Sequence, residues 1–578
     1  MKFLLVGINA KYIHSNPAIY SLRAYAGEEY KEYVELAEYT INNQKEEILA
    51  DLFKRKPDII GFSCYIWNFN LVQELLLELP KILPGRDIWL GGPEVSFEGP
   101  QLLSSWPMVT GIMAGEGEDT FKELLEYYCR KQTEGKKLTQ IDGLILREGH
   151  TSPRKMLDIN ELPFLYENLE NFKNKIIYYE SARGCPFRCS YCLSSIDKTV
   201  RLRSMDKVKR ELQFFLDRKV PQVKFIDRTF NCNHQHAMEI WKYIRENDNG
   251  ITNFHFEIAA DIMTEEETGL LKAMRPGLVQ LEIGVQSTNE KTLHEINRYV
   301  NTEHIARVVG ELKEGENIHI HLDLIAGLPF EDYDSFANSF NEVYAMKPEQ
   351  LQLGFLKVLK GSPMAERAQQ YGIACQSRPP YEVLFTDWLS YEEVLRLKQV
   401  EEMVEIYYNS NQFRRTVSVL ERVFANPFSM FEALSRYYEE KGYFVNTPAR
   451  SYRYQVLLDF ACEADAEGRE LYEELLTFDF YLRENAKSRP SFCRDLSVYH
   501  QQIRDFYQRE EENPKFLQGY AEYHAKQTLK MTHMEAFYYP VWEKDPEKVR
   551  RKREAAGFVL FDYQVRNPLT GDAAVTLI

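Results

Sequence analysis

The sequence predicts an α/β protein in three parts: a doubly wound, Rossmann-like sheet, a partial (β/α)6 barrel and a mostly α-helical C-terminal region. Three observations predict it. Short apolar runs alternate with helical patterns twice between residues 1 and 380. Glycine-rich turns close two of the early runs, and beyond residue 380 long amphipathic stretches rich in Glu, Tyr and Lys take over. At roughly 100 to 200 residues per domain, the 578 residues accommodate about three to five domains.

Taken in order, KFLLVGIN, YVELAEYTIN, DIIGFSCYIWN, DIWLGGPEVS and GIMAGEGED read as the strands of a first domain, residues 1–145, with NQKEEILADLFKRK and LVQELLLELPKIL as helices. Ligands of such sheets sit beyond the carboxyl ends of the strands, where glycine lets the backbone approach closely. Gly91, Gly92 and Pro93 with Glu94, and Gly115, Glu116 and Gly117 with Glu118, fall at such ends. Each also suits a plain tight turn, and neither is the G-x-G-x-x-G of a dinucleotide site. Residues 146–173 read as a linker. Residues 174–380 then supply six more strands: IIYYESARG, VPQVKFIDRTF, FHFEIAAD, LVQLEIGVQS, IHIHLDLIAGLP and LQLGFLKVL. Catalytic groups of a β/α barrel belong at the C-terminal ends of such strands. Residues 381–578 form the helical region, from YEEVLRLKQVEEMVEIYYNS onward.

Hydrophobic residues make up 44% and charged residues 27% of the chain, which excludes a disordered composition. The formal net charge of -16 argues against broad binding to nucleic acid. The one basic run, KVRRKRE, reads as a solvated helix face. No stretch approaches the roughly 18 apolar residues of a membrane-crossing helix. The apolar run at the N-terminus stops at Asn9 without a cleavage-like site, so a cytoplasmic protein with no membrane partner is expected.

Of the nine cysteines, Cys64, Cys129, Cys232, Cys375, Cys462 and Cys493 are scattered singly, as small buried hydrophobes are. The other three, Cys185, Cys189 and Cys192, are packed into ARGCPFRCSYC. Three thiolates on a four-iron cluster leave one iron free to chelate another group. A zinc site wants a fourth ligand. The nearest candidates, Cys232, His234 and His236 in NCNHQH, read instead as the start of the helix after the second barrel strand.

At these residues the chain resembles the radical S-adenosylmethionine enzymes, whose signature is this C-x-x-x-C-x-x-C spacing with an aromatic residue, here Tyr191, before the last cysteine. The resemblance implies a 4Fe-4S cluster on Cys185, Cys189 and Cys192, with S-adenosylmethionine on the free iron as the source of a 5'-deoxyadenosyl radical. Glu257 in HFEIAAD, Gln286 in IGVQS, Arg298 in EINR and Asp323 in DLIAGLP match, in type and order, the cofactor-holding positions of the oxygen-independent coproporphyrinogen oxidase branch. The chemistry suits them, since an acid can hold a ribose hydroxyl or an ammonium group while Arg pairs with a carboxylate. The plain alternatives are a rim charge for Glu257 and a helix-surface residue for Arg298. Asp227 in FIDRTFN ends a strand at the same mouth and is expected to support the site.

The first domain joined to this barrel, with GGPE and GEGE at the sheet ends, looks like the cobalamin-binding branch of the same enzymes. The likeness covers the whole chain, although residues 1–380 carry its specific motifs. It departs from the D-x-H-x-x-G pattern whose His ligates cobalt. The first loop reads INAKYIHSNPAIYSL, where His14 stands near but without that spacing. Cobalamin is therefore expected without a His ligand below it, or in a degenerate site.

The resemblance implies a cobalamin-dependent methyl transfer to an unactivated carbon and an external electron donor such as flavodoxin or ferredoxin. It leaves the substrate open. A radical rearrangement or cyclisation without methyl transfer, and a non-catalytic redox or cobalamin-sensing module, are the alternative expectations.

Overall fold

A computed structural model describes residues 1–130 and 137–578. In the first sheet, β1 (Phe3–Asn9), β2 (Val34–Thr40), β3 (Ile59–Ser63), β4 (Asp87–Gly91) and β5 (Gly111–Met113) run parallel in the order β2-β1-β3-β4-β5. A hairpin, β6 (Leu144–Leu146) and β7 (Gly149–His150), extends the β5 edge antiparallel. All seven residues of β1 are buried, as a parallel strand covered on both faces requires. Leu4, Val6 and Ile8 pack with Ile48, Leu52, Val72 and Leu75 on one side. Phe3 and Leu5 pack with Ile19, Phe121 and Leu124 on the other. The chain reverses direction of winding between β1 and β3, which opens a crevice at their carboxyl ends.

The second sheet holds β8 (Ile177–Tyr179), β11 (Gln222–Phe225), β12 (Asn253–Ile258), β13 (Val279–Gln286), β14 (His319–Ala326) and β15 (Gln350–Phe355), all parallel and in chain order. The short strands β9 (Ala182–Arg183) and β10 (Arg201–Leu202) pair with each other beside it. Along β13, Val279, Leu281, Ile283 and Val285 are buried and alternate with Gln280, Glu282, Gly284 and Gln286. The apolar set faces the surrounding helices and the polar set faces the barrel axis, so this interior is ionic where closed barrels are apolar.

β8 and β15 do not pair, which leaves two raw edges, and neighbouring segments finish both. On β8, the Ile176 amide donates to the Ile13 carbonyl at 2.7 Å and Ser15 Oγ to the Ile176 carbonyl at 3.2 Å, while the Tyr166 hydroxyl donates to the Tyr178 carbonyl. On β15, the Asn409 side chain accepts from the Leu351 amide and donates to the Leu351 carbonyl, both at 2.9 Å. An amide side chain thus takes the place of a seventh strand.

After a small hairpin, β16 (Ala374–Cys375) and β17 (Val383–Phe385), come the helices Tyr391–Val404, Pro427–Glu440, Arg453–Ala464, Arg469–Arg483 and His500–Glu512. Their core is continuous with the barrel's: Leu324 and Val343 share one apolar cluster with Val394, Leu397, Tyr407 and Leu475. The structure adds what the helical expectation lacked, a three-stranded antiparallel sheet of β18 (Thr532–Phe537), β19 (Gly557–Arg566) and β20 (Ala573–Leu577). The aromatic and β-branched run GFVLFDYQVR carries that signal. The basic run is not one helix face either, because its helix, Pro546–Val549, ends before Arg550. Among the described residues no helix is long and apolar enough to cross a membrane.

Candidate functional site

The cysteine loop leaves the barrel at the end of β8 and is closed at its base by the β9–β10 pairing. Gly184 turns the chain at φ +98°, and a Cβ there would collide with the Thr199 carbonyl oxygen, so only glycine fits. The Cys185 amide donates to the Asp197 carbonyl at 3.3 Å and that of Cys192 to the Cys189 carbonyl at 3.1 Å. Ser190 is pinned on both sides: its amide donates to the Ile296 carbonyl at 2.9 Å and its carbonyl accepts from the Met364 amide at 2.8 Å. Cys185 and Cys189 are buried and Cys192 half-buried, and none of the three is in a disulfide. Burial pushes the Cys185 thiol up, and its neighbours Cys192 and Cys189 push it further. That mutual repulsion of thiolates is what a bound cation cluster would relieve.

The strand ends gather the expected cofactor residues, with differences in what each offers. Arg298 reaches the loop, with Nη1 3.6 Å from Cys189 Sγ and Nη2 donating to the Gly284 carbonyl. Its Nε is buried without a partner, as are Gln286 Oε1 and Ser190 Oγ. Gln286 sits at a bulge in β13 at φ +73°, a strained conformation for a residue with a side chain. Burial raises the Glu257 carboxyl, and Glu282 nearby raises it further. Burial also raises the Tyr191 phenol, which lies beside Arg298, Cys189 and Cys192. Asp323 turns inward, with Oδ1 2.9 Å from His321 Nε2. Glu282, His321 and Asp323 place ligand-type atoms within 4.8 Å of one another. Lys224 Nζ lies 3.0 Å from Glu282 Oε2 and 3.7 Å from Glu257 Oε1, so the cluster of charges is already balanced by an ammonium group.

Asp227 does not face the mouth. It is 1% exposed and accepts from the Ser181 amide at 2.8 Å and from Ser181 Oγ, which also lies 3.1 Å from His236 Nε2. Complete burial pushes its carboxyl up to about 7 against those hydrogen bonds. The His236 imidazole is committed to this chain of bonds, while His234 pairs with Glu267 at 3.1 Å, and Asn233 caps the helix His234–Glu246. Cys232, His234 and His236 therefore form no ligand set.

A cavity of about 1040 Å³ separates the carboxyl ends of the two sheets. Gly91, Gly92, Pro93, Gly115, Glu116 and Gly117 line one wall, and Tyr178, Arg183, Lys224, Arg228 and Glu257 the other. Gly92, at φ +109°, lies where a Cβ would strike the Cys64 carbonyl, whereas Gly115, at φ +78°, faces open space. Beside them the rings of Tyr65 and Trp67 stack at 4.3 Å, 7° from parallel. A glycine wall and an aromatic platform on so large a space fit a flat macrocycle with a long tail.

The acidic members of those turns serve the interface and are not free ligands. Glu116 accepts from Arg201 at 2.6 and 3.0 Å, from Arg183 at 3.2 Å and from the Leu157 amide at 2.9 Å. What Glu116 offers the cavity is backbone. Glu118 pairs with Arg183 at 3.1 Å, and Glu94 accepts from the Tyr381 hydroxyl. Burial lowers the His14 imidazole's pKa, and Lys11 and Lys224 lower it further; its Nδ1 is bonded to the Tyr178 hydroxyl. Sequence reasoning missed Arg183, Arg201, Tyr65 and Trp67. The stacked pair carried a signal, two aromatic residues one apart at a strand end.

Three family models match the chain: B12 binding domain over residues 4–125, Radical SAM superfamily over 179–343, and a protein of unknown function, DUF4080, over 369–561. The chain is 24% identical over 405 residues to the 2-(S-pantetheinyl)-carbapenam-3-carboxylate methyltransferase of Streptantibioticus cattleyicolor, a match that covers 64% of this chain and 56% of that one. It thus spans about half the length of the curated relatives it matches. The methyltransferase TsrM of Kitasatospora setae, solved with cobalamin and a 4Fe-4S cluster, shares the fold at TM-score 0.54 and 18% identity, over 66% of this chain and 79% of that chain. The cobalamin-dependent enzyme OxsB, solved with aqua-cobalamin, does so at 0.55 and 16%, over 83% and 79%. The chain thus joins a B12 binding domain to a Radical SAM domain, with a DUF4080 domain as its C-terminal extension, the pairing of domains seen in the cobalamin-dependent radical S-adenosylmethionine enzymes that it resembles.

Proposed function

We propose that the protein transfers a methyl group from S-adenosylmethionine to an unactivated carbon of its substrate, in a cobalamin-dependent radical reaction. The observation that carries this reading is the single cavity of about 1040 Å³ with the glycine turns of the first sheet on one side and the strand ends around the cysteine loop on the other. When bound, the cluster with S-adenosylmethionine supplies a radical able to take hydrogen from carbon, and cobalamin supplies a methyl carrier.

The chain's own residues bind and orient. Cys185, Cys189 and Cys192 hold the cluster, with Tyr191 packed beside them. Arg298, its Nε buried and unpartnered, is placed to meet the carboxylate of S-adenosylmethionine, and Gln286 Oε1 to accept from a hydroxyl or amine. Glu257, raised by burial, lines the large cavity. Asp323, with Oδ1 2.9 Å from His321 Nε2, stands among the polar side chains inside the barrel. Gly91, Gly92, Pro93, Gly115 and Gly117 let backbone approach the corrin, over the Tyr65–Trp67 platform. An external one-electron donor of the flavodoxin or ferredoxin type completes the system.

The test is isotope tracing with S-adenosylmethionine labelled in its methyl group, in reduced, reconstituted protein given a metabolite extract. Label in a product carbon, with S-adenosylhomocysteine and 5'-deoxyadenosine formed together, is expected. Formation of 5'-deoxyadenosine alone would overturn methyl transfer in favour of a rearrangement or cyclisation.

A further inference from the structure

Four cationic side chains line the large cavity: Arg183, Arg203, Lys224 and Arg228. Three are matched by carboxylates. Arg183 meets Glu116, Glu118 and Glu180, Arg203 meets Glu211 at 2.7 Å, and Lys224 meets Glu282 and Glu257. The Arg228 guanidinium has no hydrogen bond or ion pair among the described residues. The chain has 87 acidic against 71 basic groups, so the missing partner is not a shortage of carboxylates.

Its position is specific. Arg228 follows the end of β11, where Asp227 turns in to Ser181 and Arg228 is left exposed on the cavity wall. The next residue, Thr229, brings its Oγ1 to 3.7 Å from Cys185 Sγ. The Arg228 charge acts on Tyr65 of the first sheet and on Glu257 of the barrel. The guanidinium therefore stands where the aromatic platform, the expected cofactor residues and the cysteine loop meet.

We infer that Arg228 anchors the substrate, and that the substrate is an organic anion with a carboxylate or phosphate. A guanidinium presents its donors in a rigid fork that pairs with such an oxyanion through two parallel hydrogen bonds. Arg298, which already donates to Gly284 and Cys189 deeper in the site, is the separate partner for the cofactor's carboxylate. The Tyr65–Trp67 stack gives the rest of the ligand an apolar face beside the charge. This inference rests on the radical methyltransferase reading.

The experiment uses the full chain with reconstituted cluster, cobalamin, S-adenosylmethionine and dithionite. The probe is a small-metabolite extract split on an anion exchanger into bound and unbound fractions, and the readout is 5'-deoxyadenosine and S-adenosylhomocysteine formed above the level without extract. The bound fraction is expected to stimulate both products. Arg228→Gln lowers that stimulation by about tenfold or more, the loss of a charge-assisted pair, and Arg228→Lys recovers part of it through a higher KM. Phosphatase treatment separates the two sources: stimulation lost assigns a phosphate, stimulation kept a carboxylate. Stimulation confined to the unbound fraction, or equal in Arg228→Gln and wild type, overturns the inference. So does a fall of about tenfold in S-adenosylmethionine affinity or in cobalt retention in Arg228→Gln, because Arg228 is then a cofactor residue. Wild-type protein that forms no 5'-deoxyadenosine under dithionite refutes the radical reading itself, which keeps the two failures apart.

Discussion

Replacing Arg183 by Met keeps the stem of the side chain and removes the guanidinium that ties the first sheet to the cysteine loop. Glu180, Glu116 and Glu118 lose contacts of 2.9, 3.2 and 3.1 Å. Glu116 keeps Arg201 and the Leu157 amide, but Glu118, whose side chain is 8% exposed, keeps Ser21 Oγ at 3.2 Å. Exposed pairs contribute about 0.2–1 kcal/mol, while breaking a buried pair costs about 3–5 kcal/mol. With one nearly buried carboxylate stranded and two half-buried ones weakened, the loss is about 3 kcal/mol. Two of the three contacts cross the interface, so most of it falls on the docked arrangement, a factor on the order of 100 in its population. Limited proteolysis of the segment 151–176 reads domain separation, and the ratio of 5'-deoxyadenosine to methylated product reads coupling. Faster cleavage and a higher ratio, with iron content unchanged, are expected in Arg183→Met. A wild-type cleavage rate and product ratio would refute the reasoning.

Other outcomes follow from the same geometry. Gly184→Ala cannot hold the turn against the Thr199 carbonyl, so iron content after reconstitution should collapse while far-ultraviolet circular dichroism is retained. Arg298→Lys keeps the charge but loses the fork, and the affinity for S-adenosylmethionine, measured by calorimetry on the reconstituted protein, should fall by about tenfold or more. Asp227, with its carboxyl near 7, keeps a proton in the folded state that the unfolded chain releases above its ordinary value of 3.8. Stability therefore falls as pH rises from about 4 to about 7, by up to about 4 kcal/mol, and levels off above that. Glu331 and Glu401, also raised to about 7 by burial, add to the same slope, so urea unfolding across this window should show a shallower slope in Asp227→Asn than in wild type; an equal slope in both would contradict the assignment.

Much of this architecture is legible in the sequence because its signals are local. The three cysteines sit within eight residues, and strands such as β13 carry a strict two-residue alternation of apolar and polar side chains. What is hidden is partner choice over distance. Glu116 looks like a ligand in a glycine turn until Arg201, 85 residues away, and Arg183, 67 residues away, claim its carboxylate. Asp227 looks like a mouth residue because it ends a strand, yet the Ser181 amide and hydroxyl draw it inward. His236, read from the sequence as part of a helix start, has its ring bonded to Ser181 Oγ, a partner 55 residues away that the sequence does not reveal. The last sheet was hidden for a different reason, since its strands follow a long run of helices and carry no strict alternation.

The finished edges of the barrel bear on how such proteins can be taken apart. A fragment cut before Asn409 would carry the whole radical barrel yet expose the β15 ladder, an invitation for another copy to add its own strand. A fragment lacking Ile13 and Ser15 would do the same at β8. Neither flanking region is cargo that can be swapped at will: each carries the stitching that finishes one edge of an open barrel, and chimaeras that graft this barrel onto foreign partners must bring both hems along.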